Sequence, residues 1–191
     1  MAMKKAKKAA ERIRTTTRKV AKKVARKVPA RARAKVQPIP KGYHVITPSI
    51  VVRGAVEAIE FYKKAFGAKE VSRMPGPDGK ILHAEIKIGD SRVMLGDEYP
   101  DMGLSSPQTV GGTASSLMIY TRDVDALFNQ AVAAGAKVSM PVSDVFWGDR
   151  YGKVTDPFGH QWQLATHKEN VPPKEMARRA AAAMSAPPQT A

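Results

Sequence analysis

The chain contains no cysteine. Disulfides, zinc–thiolate sites and a catalytic thiol are therefore excluded, and a reducing, cytoplasmic location is expected. No apolar run approaches the roughly 18 residues that a membrane-spanning helix needs. Residues 1–36 begin with positive charge but have no apolar stretch behind it, so a secretory signal is not expected. Aromatic residues make up 6% of the chain, and none lies within residues 1–36, which leaves that segment no platform for stacking on bases.

Acidic residues are also scarce at one end. Residues 1–36 hold fifteen Lys and Arg against the single acid Glu11, while the remainder carries seventeen basic and sixteen acidic residues. The net charge of +15 thus describes the arm rather than the body. Such a segment repels itself and has little apolar surface to bury, so it is expected to be disordered when free. Its charge fits non-specific attraction to a polyanion such as nucleic acid, through residues that include Lys22, Lys23, Arg26, Lys27, Arg31 and Arg33. A solubilising extension, or an arm for an anionic membrane face, explains the same charge.

After the linker 37–42, roughly 130 residues to His167 suffice for one well-buried core and are too few for two ordinary domains. That body states one pattern twice. Phe61–Lys69 and Phe128–Lys137 are amphipathic helix ends that each close on Gly-Ala-Lys, and Gly67 and Gly135 are 68 residues apart. Copy one is expected to run from a strand near Val45–Val52, through a helix over Val56–Phe66 capped by Gly67, to a hairpin turning at Pro75–Gly79. Its strands are Leu82–Ile88 and Arg92–Leu95 around Gly89-Asp90. The loop Tyr99–Thr113 connects the copies. Copy two follows with strand Ser116–Thr121, helix Val124–Ala134, and strands Val138–Pro141, Lys153–Thr155 and Gln161–Ala165. The fold class is α+β, two βαβββ repeats forming a curved mixed-sheet cup over 43–167, followed by a short helix within Val171–Met184 and a loose end.

Strand alternation assigns the faces. Leu82, Ala84, Ile86 and Ile88 are expected to cover a helix, which turns His83, Glu85 and Lys87 the other way. By the same rule Leu117, Ile119, Trp162 and Leu164 point inward, as do Ile46, Ile50 and Val52. Thr47, His83, Glu85, Ser116, Tyr120 and Gln163 then gather on one concave surface, the default site for a small-molecule ligand. His83 and Glu85, two apart on one face, are the candidate catalytic pair, since a His beside a carboxylate can act as a general base. A solvated or purely structural pair is the plainer reading. Trp147 and Arg150, in the aromatic stretch Phe146–Tyr151, are candidates to close over the ligand, with Arg150 toward an anion. The alternative has Arg150 paired with Asp149 and Trp147 at a dimer contact. His160 and His167 read most simply as exposed.

The duplicated plan, with Asp156-Pro157-Phe158-Gly159-His160 before the last strand, resembles the vicinal oxygen chelate superfamily of glyoxalase, bleomycin-resistance and extradiol-dioxygenase proteins. Tyr62–Ala68, His83–Ser91 and Trp147–Gly152 look like its PhnB-like branch. The resemblance implies a cup-shaped domain, commonly a homodimer, on a scaffold that serves isomerases, lyases, dioxygenases and drug-binding proteins. Members that chelate a divalent metal take a His, Glu or Gln from each quarter of the fold. Those positions fall here at Thr47, Leu95, Ser116 and Gln163, and only Gln163 is a donor of that kind. The resemblance therefore implies no metal site and no cofactor, a divalent metal at Gln163 being the open alternative. The expected function is binding of a small polar molecule, with or without metal-independent conversion. Sequestration of a drug or metabolite and association with nucleic acid through the arm are the rivals.

Overall fold

The computed structural model of the chain describes residues 36–76 and 78–185. The chain divides into compact units at Pro40 and Lys41, and among the described residues every helix and strand belongs to the second unit. The basic positions Lys22, Lys23, Arg26, Lys27, Arg31 and Arg33 lie outside the described residues.

Two copies of one motif succeed each other along that unit. The first comprises β1 (Ser49–Val52), α1 (Ala55–Phe66), β2 (Lys69–Pro75), β3 (Ile81–Ile88) and β4 (Ser91–Asp97). After a single 3₁₀ turn at Pro100–Met102 and the short α2 (Pro107–Val110), the second comprises β5 (Ser116–Tyr120), α3 (Val124–Ala133), β6 (Lys137–Asp144), β7 (Asp149–Thr155) and β8 (Gln161–His167). The sheets are ordered β1-β4-β3-β2 and β5-β8-β7-β6. In each, the strand before the helix pairs in parallel with the last strand, and the other pairings are antiparallel. A final helix, α4 (Pro173–Ser185), comes after β8 and buries no residue fully.

Helix ends are set by local chemistry. Gly67 closes α1 at φ 63°, where a side chain would be strained, and its N–H bonds the Tyr62 carbonyl. The start of α1 has no capping side chain of its own. Asp97 reaches over from β4 instead, one oxygen accepting from Gly54 and Ala55 N–H at 2.9 Å each and the other from Ile81 N–H at 2.7 Å. The start of α3 is capped conventionally, Asp123 accepting from Ala126 N–H at 3.0 Å.

The helices cover one face of each sheet and touch each other. Gln130 of α3 donates to the last-turn carbonyls of Lys64 and Ala65 at 2.8 and 3.1 Å. Phe61, Tyr62 and Phe66 of α1 meet Phe158 and Trp162 of copy two, with the Phe66 and Trp162 rings 4.7 Å apart. Asp156 is buried beneath them. It accepts from Tyr62 Oη at 2.7 Å, Trp162 Nε1 at 2.9 Å, and the N–H groups of Phe158 and His160 at 2.9 Å each. A buried carboxylate is tolerated only when its lone pairs are filled in this way.

Several boundaries differ from the sequence reading. β1 begins at Ser49 rather than Val45, and Val45 and Ile46 are exposed, so Ile46 does not join Ile50 and Val52 in the core. A register shift between Met74 and Pro75 inserts one extra residue into β3. This bulge turns Leu82 outward, leaving Ile81, Ala84 and Ile86 as the buried apolar residues. β6 and β7 extend toward each other, so Asp149–Tyr151 belongs to a strand and only 145–148 remains a turn. His160 is buried, not exposed.

Candidate functional site

The outer edges of β1 and β5 flank a cleft of about 1250 Å³. Ile50, Leu117 and Trp162 line it from the core side, and Thr47, Ser49 and Ser116 supply hydroxyls. Charged groups are few: Asp90, Arg92 and Arg122. Arg122 is exposed and pairs with no carboxylate among the described residues.

Of the residues expected to gather, Thr47, Ser116 and Tyr120 line this cleft. Gln163 does not line it but donates from Nε2 to the Ser116 Oγ that does. That bond uses one of the two amide N–H groups and leaves the hydroxyl hydrogen of Ser116 to point elsewhere. The phenol of Tyr120 donates to Asp149 Oδ2 at 3.2 Å. Burial, with the Asp149 charge, pushes that phenol above its usual range, so it stays protonated and offers its oxygen lone pairs.

His83 and Glu85 belong to a second cluster, joined to the cleft through Arg92. Glu85 is 9% exposed and accepts from the Tyr43 phenol and from Arg92 Nη1 at 2.5 Å, with His83 Nε2 3.5 Å away. The Tyr43 hydrogen bond foremost, then those from Arg92 and His83, hold its carboxyl below the usual carboxylate range. Glu85 is thus a filled, ionised anchor. Arg92 also stacks on the Tyr43 ring, 4.6 Å to the centroid, and donates to Gly42 O at 3.2 Å. Glu85 thereby fixes the guanidinium that lines the cleft and clamps residues 42–43 onto the sheet. Tyr43 and Arg92 were not read from the sequence, because a tyrosine 42 positions from its partner carries no local pattern.

Trp147 and Arg150 do not line the cleft. Arg150 grips Asp125 at 2.6 and 2.7 Å and Asp144 at 3.3 Å, which raises its already high pKa, and it does not pair with Asp149. Trp147 packs between Phe146 and Tyr151 and donates Nε1–H to Asp149 at 3.0 Å. Asp149, 3% exposed, also bonds His167 Nδ1 at 2.7 Å. The hydrogen bond to Asn170, then that to Asp149, raises the His167 pKa.

The four positions counted as metal ligands do not fit a divalent metal. Leu95 is 2% exposed in the core, and the β4 residue on the opposite face is Met94, beside Ser49 in register. Its counterpart in copy two is Gln163, beside Met118. Two hydroxyls, a thioether and an amide lack the imidazole and carboxylate donors such ions require. Among the described residues no three His, Cys, Asp or Glu side chains come together as a ligand set.

The repeated βαβββ order, with a cleft between the two first strands, has known relatives. Residues 43–164 match the Glyoxalase/Bleomycin resistance protein/Dioxygenase superfamily. The chain belongs to that superfamily. Within it, the chain is 49% identical over 122 residues to the uncharacterized protein Rv0887c of Mycobacterium tuberculosis, covering 62% of this chain and 72% of that one. Among solved structures, protein PA1353 from Pseudomonas aeruginosa aligns with a TM-score of 0.55 at 26% identity, covering 65% of this chain and 98% of that one. The PhnB protein from Bacillus cereus aligns with a TM-score of 0.52 at 22% identity over 64% of this chain and 99% of that one, a likeness of fold.

Proposed function

We propose that the protein binds a small polar molecule in the cleft between β1 and β5 and does so without the divalent metal used elsewhere in the superfamily. The observation that carries this reading is the lining itself: hydroxyls over an apolar floor, with Arg122 unpaired at the rim. Pockets with a mostly apolar wall and a few fixed polar groups are built for this task. In this reading Thr47, Ser116 and Tyr120 contact the ligand, Gln163 orients Ser116, and Glu85 holds Arg92 in place. A proton-transfer role for His83, with the ionised Glu85 beside it as the neighbouring charge, distinguishes conversion from simple sequestration, and Trp147 and Arg150 act at the β6–β7 turn rather than as a lid. The reading takes the protein to be a cytoplasmic homodimer, supported by the exposed apolar side chains of Met74, Leu82 and Met140.

Native mass spectrometry of the purified chain tests it. The expected result is a metal-free species that retains a small molecule, and loses it on Ser116→Trp. One tightly held divalent metal per chain, lost on Gln163→Ala, would overturn it. Turnover abolished by His83→Ala with binding intact would mark an enzyme, and unchanged binding without turnover a sequestering protein.

A second reading rests on the +14 charge of residues 1–36, which attracts phosphate backbones irrespective of sequence. It is tested by DNA affinity that falls steeply between about 50 and 200 mM salt and disappears when residues 1–36 are deleted.

A further inference from the structure

β1 and β5 are each the outermost strand of their sheet, β1 bonded only to β4 and β5 only to β8. Alternate residues of a strand turn their N–H and C=O to opposite sides. Met94 N–H bonds the Pro48 carbonyl and Glu98 N–H that of Val52, each at 2.9 Å, so the even-numbered residues of β1 serve β4. Ser49 and Val51 therefore point their main-chain groups away from the sheet. Thr121 N–H bonds the Ala165 carbonyl at 2.8 Å, so the odd-numbered residues of β5 serve β8, and Ser116, Met118 and Tyr120 point away.

One of these five positions is already occupied. The Val51 carbonyl bonds His160 Nε2 at 2.9 Å, which caps the edge of β1 at that end. Thr47, Ser49, Ser116, Met118 and Tyr120 all line the cleft. A cavity walled on both sides by open strand edges has the hydrogen-bonding pattern of a missing strand. Its two faces differ in kind, with Ile50, Leu117 and Trp162 on the core side and the Ser49 and Ser116 hydroxyls on the other. From Ser116 to Tyr120 the edge spans about 13 Å at about 3.3 Å per residue, the length of a five-residue extended segment.

We infer that the cleft takes a short peptide-like ligand in extended conformation, its amides bonding the edges of both β1 and β5 and its terminal carboxylate meeting Arg122. This rests on the cleft-binding reading above and names the ligand class. The volume of about 1250 Å³ exceeds the usual range for a drug-sized molecule, which suits a chain of several amide units. The two unlike faces would select apolar and polar side chains in alternation.

The test is affinity selection on the full chain with three probes: a pentapeptide library with free carboxylates, the same library N-methylated at alternate amides, and a cell extract of non-peptide metabolites. Expected are retained pentapeptides that weaken at least about tenfold on N-methylation, the loss of a single net hydrogen bond. Arg122→Ala should weaken free-acid peptides but not their C-terminal amides. Ser49 and Met118 amides should exchange hydrogen more slowly only when peptide is present. No retained pentapeptide, or equal retention of the N-methylated set, overturns the inference. Retention of metabolites alone does so while preserving the cleft-binding reading, and retention of nothing removes both. Slow exchange at Ser49 and Met118 without peptide, relieved by dilution, would mean that a second copy fills the seam and would also overturn it.

Discussion

The Nε2 atom of His160 lies 2.9 Å from the carbonyl oxygen of Val51, in the other copy of the repeat. A carbonyl only accepts, so the ring carries its proton on Nε2 there. Replacing His160 by Leu keeps the volume and removes the donor. A loss of about 1–3 kcal/mol is expected in urea unfolding, and His160→Gln should recover part of it.

Asp156 predicts a larger effect. Tyr62→Phe takes away one of its four donors and should cost about 1–3 kcal/mol. Asp156→Ala strands the Tyr62 hydroxyl, the Trp162 indole and two main-chain N–H groups in the core at once. The expected result, read by calorimetry, is a drop exceeding that of Tyr62→Phe severalfold or failure to fold at 37 °C.

The clamp on residues 42–43 has a pH signature. The Glu85 carboxyl is depressed in the folded chain, chiefly by Tyr43, so its contribution to stability is present above the unfolded value of about 4.3 and is lost as pH falls through the folded one. Tyr43→Phe removes the main depressing bond. Its acid transition should therefore move to higher pH than that of the parent chain, and proteases should cut between residues 41 and 48 more readily.

His167 titrates in the opposite sense. Its pKa is raised, so its ion pair with Asp149 stabilises fully below the unfolded value of about 6.5 and fades as pH rises through the folded one. Asp149→Asn should accordingly lower the urea midpoint more at pH 5.5 than at pH 8.5. Equal losses at the two values would show that Asp149 matters only through Tyr120 and Trp147.

Much of this fold could be read locally. The helical periodicity before Gly67 and Gly135 and the alternation around Trp162 and Leu164 reflect neighbours within a few residues of each other, and the 68-residue offset between the two glycines reflects the repeat of that local pattern. What escaped the reading depends on partners far away in sequence. Leu82 alternates as a core residue and is displaced by a bulge that no residue there announces. Leu95, one of the family's four positions by count, is a core residue, and its neighbour Met94 is the one in register with Ser49. The bonds of Glu85 to Tyr43 and Arg92, and of Arg150 to Asp125 and Asp144, are made by the fold and have no local pattern. The outward turn of Ser116 was legible because simple alternation within β5 decides it.

The contact of Phe66 and Tyr62 with Trp162 makes copy one dependent on copy two. The aromatic face of α1 is covered by Phe158 and Trp162 of the second copy, so the first copy alone would leave it in water. Within one chain the encounter is intramolecular, and residues 98–115 act as a tether that raises the local concentration of the second unit. Cutting the tether should then yield two fragments that are each unstable apart and reassemble when mixed.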